Sequence, residues 1–299
     1  MSAAPPINKR AGHRPEWLKI RVPGDLDRLP VSRLMSDLAL NTVCQEARCP
    51  NIWECWNAGT ATFMILGETC TRTCGFCNVH SGRPKPGVDP EEPAHVAEAV
   101  ERLRLSHVVI TSVDRDDLED GGAAHFARVI EAIRARVPAC GIEVLTPDFK
   151  RKEGALDRVL DARPAVFAHN VETVPRLYKP VRPGSEYAGS LGLLRAAAER
   201  RDREGSKLRV KSSIIVGLGE RDDEVDDVLR DLRGAGVDVV TLGQYLQPTP
   251  THLPVARWVH PDAFAGFRER GLAMGFLHVE SGPLVRSSYH AERHRPDGE

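Results

Sequence analysis

GETCTRTCGFCNVH, residues 67–80, sets three cysteines within eight positions: Cys70, Cys74 and Cys77, spaced C-x3-C-x2-C. A structural zinc site wants four ligands, usually as two close pairs. Only Cys74 and Cys77 have that spacing, with His80 as an available fourth ligand. Ferredoxin-type clusters are held by four cysteines in other spacings. Three thiolates on one loop suit instead a cubane 4Fe-4S cluster with one iron left without a protein ligand, open to a small molecule.

The loop follows the short apolar run TFMIL (62–66), and from there on β-branched runs alternate with amphipathic stretches. Five further runs read as strands: HVVITSV (107–113), IEVLT (142–146), AVFAH (165–169), VKSSIIVG (210–217) and VDVVTLG (237–243). Helical patterns follow near 93–105, 122–136, 152–161, 188–203, 222–234 and 261–272. No G-x-G-x-x-G opens the first strand-to-helix turn, because the cysteine loop stands there. The expected fold is therefore α/β, a partial, open parallel (βα)6 barrel of the TIM type spanning 61–274. Residues 1–60 form an N-terminal extension and 275–299 a short C-terminal one.

Chemistry in parallel barrels sits at the carboxyl ends of the strands. Asp114, Asp148, Asn170 with Glu172, Gly217 with Gly219, and Gln244 with Tyr245 all fall there. Asn170 and Glu172, two positions apart, offer a clamp for ribose hydroxyls, and the glycines of VGLGE offer close backbone approach. Lys211 and Arg182 are candidates for a cofactor carboxylate or a partner. The acids of DRDDLED (114–120) read mostly as a solvated charged turn, and the chain beyond residue 291 as a frayed tail. The basic run from Arg195 to Arg209 reads as a solvated helix face that could also steer an acidic partner.

Composition excludes several classes. Across 299 residues, 41% are hydrophobic and 28% charged, with a formal charge of -1, so neither nucleic acid nor a membrane is indicated as a partner. No apolar run approaches a membrane span and the start lacks an apolar leader, which gives a cytoplasmic expectation. Seven cysteines, six of them between residues 44 and 77, argue against a disulfide framework and for metal. Cys140 stands alone and reads as a small buried hydrophobe.

The six include a second triad, Cys44, Cys49 and Cys55, spaced C-x4-C-x5-C in CQEARCPNIWECW. The downstream triad after the first barrel strand resembles the radical S-adenosylmethionine enzymes. Both triads, together with SVDRDDLEDGGAAHFA, HNVETVPRLYKPVRPG, VGLGE, GQYLQPT and the terminal VRSSYHA, are similar to the lipoyl synthase family from residue 15 to 291.

That resemblance implies a radical-generating 4Fe-4S cluster on Cys70, Cys74 and Cys77, with S-adenosylmethionine as co-substrate. It implies an auxiliary 4Fe-4S cluster on Cys44, Cys49 and Cys55, with Ser287 as the fourth ligand and Ser288 its neighbour. This second cluster would be the sulfur source. The implied reaction inserts sulfur at carbons six and eight of an octanoyl-lysine on a carrier domain. Carriers of the 2-oxoacid dehydrogenase acyltransferase and the glycine-cleavage H protein are implied. So are a flavodoxin- or ferredoxin-type reductant and an iron–sulfur carrier for cluster repair. Two alternatives are another radical sulfur-inserting enzyme, which would lack the upstream triad and the RSSY tail, and a non-catalytic zinc or iron–sulfur protein.

Overall fold

The computed structural model describes residues 11–19, 30–38, 40–46, 49–57 and 61–296. In chain order the strands are β1 (Asn41–Thr42), β2 (Thr62–Ile65), β3 (Thr69–Cys70), β4 (His80–Ser81), β5 (His107–Ser112), β6 (Gly141–Leu145), β7 (Val166–Ala168), β8 (Arg209–Val216), β9 (Val239–Gln244) and β10 (His278–Gly282). The helices are α1 (Pro30–Asp37), α2 (Val43–Glu46), α3 (Ile52–Asn57), α4 (Glu92–Arg102), α5 (Ala123–Arg136), α6 (Ala155–Asp161), α7 (Tyr178–Val181), α8 (Tyr187–Glu204), α9 (Asp222–Gly234) and α10 (Pro261–Ala273).

Eight strands form one sheet in the order β1-β2-β5-β6-β7-β8-β9-β10, parallel throughout except for β1, which runs antiparallel to β2. β1 and β10 are the two edges and do not pair, so the barrel is open, as the sequence leads one to expect. The inner strands are buried on both faces, which is why β2 and β9 read as continuous runs rather than alternating ones. Their helices cover them with one apolar stripe each. In α5 it is Phe126, Val129, Ile130 and Ile133, and in α9 it is Val225, Val228, Leu229 and Leu232, the i, i+3, i+4, i+7 spacing of one helix face. Each such side chain contributes about 1.5–3 kcal/mol when fully buried.

Two features depart from the sequence reading. The segment HVESG, assigned above to the C-terminal extension, is β10, a seventh parallel strand in register with β9 from His278↔Val239 to Gly282↔Gly243. It was hidden because an edge strand alternates polar and apolar residues weakly over five positions. The tail is also not frayed through residue 296. Ala291 and His294 are both fully buried. His294 sits among Lys211, Glu143, His107 and His278 at the amino ends of the strands, and Arg295 Nη1 donates to the Ser106 carbonyl at 3.4 Å.

Candidate functional site

A cavity of about 320 Å³ opens at the carboxyl ends of the strands. Its walls include Cys70, Cys74 and Cys77 on one side and Arg286 and Ser287 of the tail on another. Between them stand Asp114, Asn170, Glu172 and Arg182.

The cysteine loop is pinned by backbone bonds. Gly75 N donates to the Val181 carbonyl at 2.9 Å, Leu253 N to the Gly75 carbonyl at 3.0 Å, and Thr71 N to the Asp114 carbonyl at 3.0 Å. A Cβ at Gly75 would lie 2.8 Å from the Leu253 side chain and 3.2 Å from the Pro180 carbonyl, so the loop needs glycine there. Burial pushes the Cys74 thiol up to about 12 and Cys77 to about 11, and it raises Cys70 as well. Thiols so placed hold their protons until a metal displaces them. Among the described residues no three His, Cys, Asp or Glu side chains are grouped to hold a single ion, and His80 is exposed and outside the cavity wall.

Arg72, between Cys70 and Cys74, was not singled out in the sequence, and it organises this end of the barrel. Its Nε and Nη2 donate to Asp116 at 2.9 Å each, its Nη1 and Nη2 to Asp148 at 3.0 and 2.6 Å, and its Nη1 to Ser185 Oγ at 2.7 Å. Five donors are thereby spent on loops after β5 and β6 and before α8. The Asp114 carboxylate lies 3.4 Å from Nε. The turn after β5 is thus not the solvated one read from its charges. Arg115 is buried too, bonding Asp117 and the carbonyls of Leu66, Lys85 and Gly87. Asp120 caps the amides of Gly122 and Ala124 at the start of α5.

Asp114 keeps its contact with the cluster loop. Its amide donates to Cys70 Sγ at 3.3 Å, and burial raises its carboxyl although Arg72 opposes the shift. Asn170 Nδ2 donates to Glu172 Oε1 at 3.1 Å, and burial raises the Glu172 carboxyl. Glu172 sits at φ 66°, fixed by bonds from its amide to the Ser213 carbonyl and from the Ile215 amide to its own. A non-glycine residue so held costs on the order of 1–3 kcal/mol, which the pairing with β8 offsets. Arg182 donates to the Asn170 carbonyl at 2.6 Å and to Tyr178 Oη at 3.0 Å. Four buried polar atoms of this wall, Ser112 Oγ, Asp114 Oδ1, Thr146 Oγ1 and Asn170 Oδ1, have no hydrogen-bond partner. Unpaired buried groups are costly, so these positions mark a wall whose polar atoms the protein itself does not fully satisfy.

The second triad lies at the β1 edge. β1 aligns Thr42 with Phe63, and the chain turns at once into α2, which carries Cys44. Cys49 N donates to the Cys44 carbonyl at 2.9 Å, and Cys55 N to the Asn51 carbonyl at 3.0 Å. Burial and mutual repulsion push Cys44 up to about 11 and Cys55 up to about 12, while burial raises Cys49. The tail crosses this triad. Asn51 Nδ2 donates to the Leu284 carbonyl at 2.6 Å and Tyr289 Oη to Glu54 at 3.1 Å. A Cβ at Gly243 would meet the Val285 carbonyl at 2.0 Å, so a glycine within β9 lets the tail lie against the sheet. Val43, Pro50 and Ser287 all reach the cavity wall, which joins the two triads' surroundings.

Three sequence candidates fall elsewhere. Lys211 is buried at the amino ends of the strands, its Nζ 2.7 and 3.0 Å from the Glu143 carboxylate, and does not line the cavity. Asp148 is engaged by Arg72, which holds its carboxyl well below the usual range against the opposing effect of burial. Gly217, at φ 103°, is required by Gln244: a Cβ there would lie 2.1 Å from Nε2. Cys140 is buried as expected.

A model of the radical SAM superfamily matches residues 64–232, and the open barrel with its cysteine loop is that class of protein. The chain is 56% identical to the lipoyl synthase of Rubrobacter xylanophilus, over 95% of this chain and 87% of that one. It is 53% identical to the lipoyl synthase of Laribacter hongkongensis, over 94% and 88%. The chain belongs to the lipoyl synthase family. In fold it is similar to Streptococcus suis SuiB bound to precursor peptide SuiA, at TM-score 0.56 and 10% identity, over 73% of this chain and 48% of that one. Membership implies a 4Fe-4S cluster and S-adenosylmethionine. No helix among the described residues is long and apolar enough to cross a membrane.

Proposed function

We propose that this enzyme is a sulfurtransferase that converts a protein-bound octanoyl-lysine into the lipoyl group by adding sulfur at carbons six and eight. The observation that carries the reading is the single cavity in which Cys70, Cys74 and Cys77 face Ser287 across a wall of unpartnered polar atoms. When bound, the radical cluster and S-adenosylmethionine supply a 5'-deoxyadenosyl radical able to take hydrogen from unactivated carbon.

The chain's residues divide the remaining work. Cys70, Cys74 and Cys77 would hold the radical cluster through three thiolates, leaving a position for the methionyl group of the co-substrate. Asp114, at the cavity wall, is placed to receive the ammonium, Arg182 the carboxylate, and Asn170 with Glu172 the ribose hydroxyls. Asp148 acts through Arg72 and Gly217 through Gln244, and Lys211 belongs to the fold. Cys44, Cys49 and Cys55 with Ser287 would hold a second 4Fe-4S cluster, which would supply the sulfur, Ser287 contributing a hard oxygen ligand among soft thiolates.

The substrate is an octanoylated carrier protein, of the 2-oxoacid dehydrogenase acyltransferase or glycine-cleavage H type. A flavodoxin- or ferredoxin-type reductant and an iron–sulfur carrier serve the two clusters in the cytoplasm. The carrier approaches the strands' carboxyl ends, where the cavity opens. Two residues of the basic run from Arg195 to Arg209 are already paired within the chain: Arg200 with Asp157, Asp161 and Glu204, and Arg201 with Asp202 and Asp238. That run also leads into the first residue of β8, at the far end of the barrel.

The test is an anaerobic reaction of reconstituted protein with dithionite, S-adenosylmethionine and an octanoyl-lysine peptide, read by mass spectrometry. 5'-Deoxyadenosine together with two added sulfurs is expected. Deoxyadenosine without sulfur, from protein with both clusters intact, would move the reading to another substrate.

A further inference from the structure

Asn78 follows the last cysteine of the radical triad, and its side chain leaves its own loop. Its Nδ2 donates to the Glu46 carbonyl at 2.7 Å. A carbonyl only accepts, so the amide presents its nitrogen there. Glu46 ends α2, whose last carbonyls have no donor within the helix, and it lies between Cys44 and Cys49. Among the described residues this is the one hydrogen bond between the loop 67–80 and the segment 43–57. It spans 32 positions of sequence, from the neighbour of one triad's ligand into the middle of the other triad.

The donor's end is held still. The Cys77 carbonyl accepts from His252 Nε2 at 2.9 Å, and Cys77 N donates to the Cys74 carbonyl at 3.1 Å. His252 Nδ1 is then the acceptor for Thr249 Oγ1 at 2.8 Å, which ties the turn to the loop after β9. The acceptor's end has less support. β1 pairs with β2 only at Asn41 and Thr42, ahead of Cys44, and the tail reaches the segment further on, at Asn51 and Glu54. Asn78 meets the stretch between those two attachments.

We propose that Asn78 is a strut that fixes the separation of the two triads and is thereby a positioning residue for sulfur insertion. The inference rests on the reading that both triads hold clusters acting on one substrate. Under that reading, a carbon activated beside Cys70, Cys74 and Cys77 has to reach sulfur held at Cys44, Cys49 and Cys55. Pairing over two residues sets a hinge, and the bond at Glu46 fixes the angle about it. Asn78, Val43 and Pro50 all line the cavity, so a tilt of the upstream segment changes the space between the triads. A misplacement of about 1 Å costs reacting groups about a hundredfold in rate, so one bond at the rim governs product yield without touching either set of thiolates.

The experiment compares the full chain with Asn78→Asp, which keeps the shape and offers no donor, and with Asn78→Ala. Three quantities are read: iron per chain, amide hydrogen exchange of the metal-free chains by mass spectrometry, and the ratio of 5'-deoxyadenosine to two-sulfur product in the anaerobic reaction. Both variants are expected to load iron at both triads. Exchange in the peptide 41–57 is expected to be about fivefold faster, the size of one lost hydrogen bond, with the barrel strands unchanged. The ratio is expected to rise about tenfold.

Unchanged exchange at 41–57 overturns the strut whatever the ratio does, since Asn78 would then act on the radical site alone. Faster exchange with an unchanged ratio overturns the positioning role. If only the charged Asn78→Asp fails to load iron, Asn78→Ala decides on the same terms. If neither variant loads the radical triad, the assignment also falls, because that cluster rather than the separation would need the side chain. An unmodified chain that loads both clusters, cleaves S-adenosylmethionine and adds no sulfur sinks the proposed function itself, before any variant is compared.

Discussion

The two cysteine triads are built in opposite ways. Cys70, Cys74 and Cys77 lie on one continuous loop whose shape is dictated by the barrel, through Gly75 against Leu253 and Arg72 on Asp116, Asp148 and Ser185. Cys44, Cys49 and Cys55 lie on a segment outside the parallel strands, placed by a two-residue edge strand and covered by a tail from the other end of the chain. A loop tied to several strand ends holds its geometry whether or not metal is bound. A site closed by a separate segment can open when that segment leaves, which would suit the sulfur-donating cluster proposed for it.

The sharpest way to break this contrast is to remove the thiols. Changing Cys70, Cys74 or Cys77 to Ala should abolish 5'-deoxyadenosine formation, whereas changing Cys44, Cys49 or Cys55 to Ala should leave cofactor cleavage and stop sulfur insertion. Product analysis by mass spectrometry checks both, and thiolated product from an upstream variant would contradict the donor role.

Next in size is Arg72→Ala. It strands the largely buried Asp148 carboxylate and leaves Asp116 only Lys150, and should cost about 3–5 kcal/mol in denaturant unfolding. Iron on the upstream triad should survive under native conditions, since no partner of Arg72 touches it.

Gly243→Ala probes the other triad. The added methyl meets the Val285 carbonyl, and overpacking of this kind costs about 1–3 kcal/mol. The tail should shift away from β9, so the upstream iron should become more readily chelated while the radical cluster keeps its occupancy. Equal loss at both triads would show that they are not independent.

The smallest effect concerns acid. His294 is pushed down to about 3, first by burial and then by Lys211, and Glu143 is lowered to about 2 because Lys211 and His107 outweigh the upward effect of burial. Both groups have folded values below their unfolded ones, so the stability they contribute is full above the ordinary values and is lost as pH falls. For His294 the loss begins near 6.5 and runs to about 3; for Glu143 it begins near 4.5 and runs to about 2. His294→Asn should flatten the upper part of that acid limb in thermal melts taken across pH. An unchanged slope would mean that the tail's anchor does not titrate there.

How far the site was legible follows from range. The spacing C-x3-C-x2-C lies within one loop and is visible as a string, as are Asn170 and Glu172 two positions apart. Arg72 was not, because its meaning lies 44 and 76 residues away at Asp116 and Asp148. Lys211 was misplaced for a related reason. Position along a strand sets which end of the barrel a side chain faces, and Lys211 is the third residue of β8, opposite Ala168 rather than beside the cavity. Gly243 gave one local signal, a glycine inside an otherwise β-branched and apolar strand, which marks a close backbone approach.

The order of strands and helices, the open parallel barrel and the loop that carries the radical triad were determined by the sequence alone. They rest on local periodicity and on ligand spacing, and both are short-range properties of the chain. Only the tertiary structure decided that HVESG extends the sheet, that the tail reaches from Ser287 in the cavity to His294 at the opposite end, and that Asn51 bonds the Leu284 carbonyl beside the upstream triad. The last of them joins residues 233 positions apart. Burial and backbone clearance fix them, and neither quantity exists until the barrel has formed.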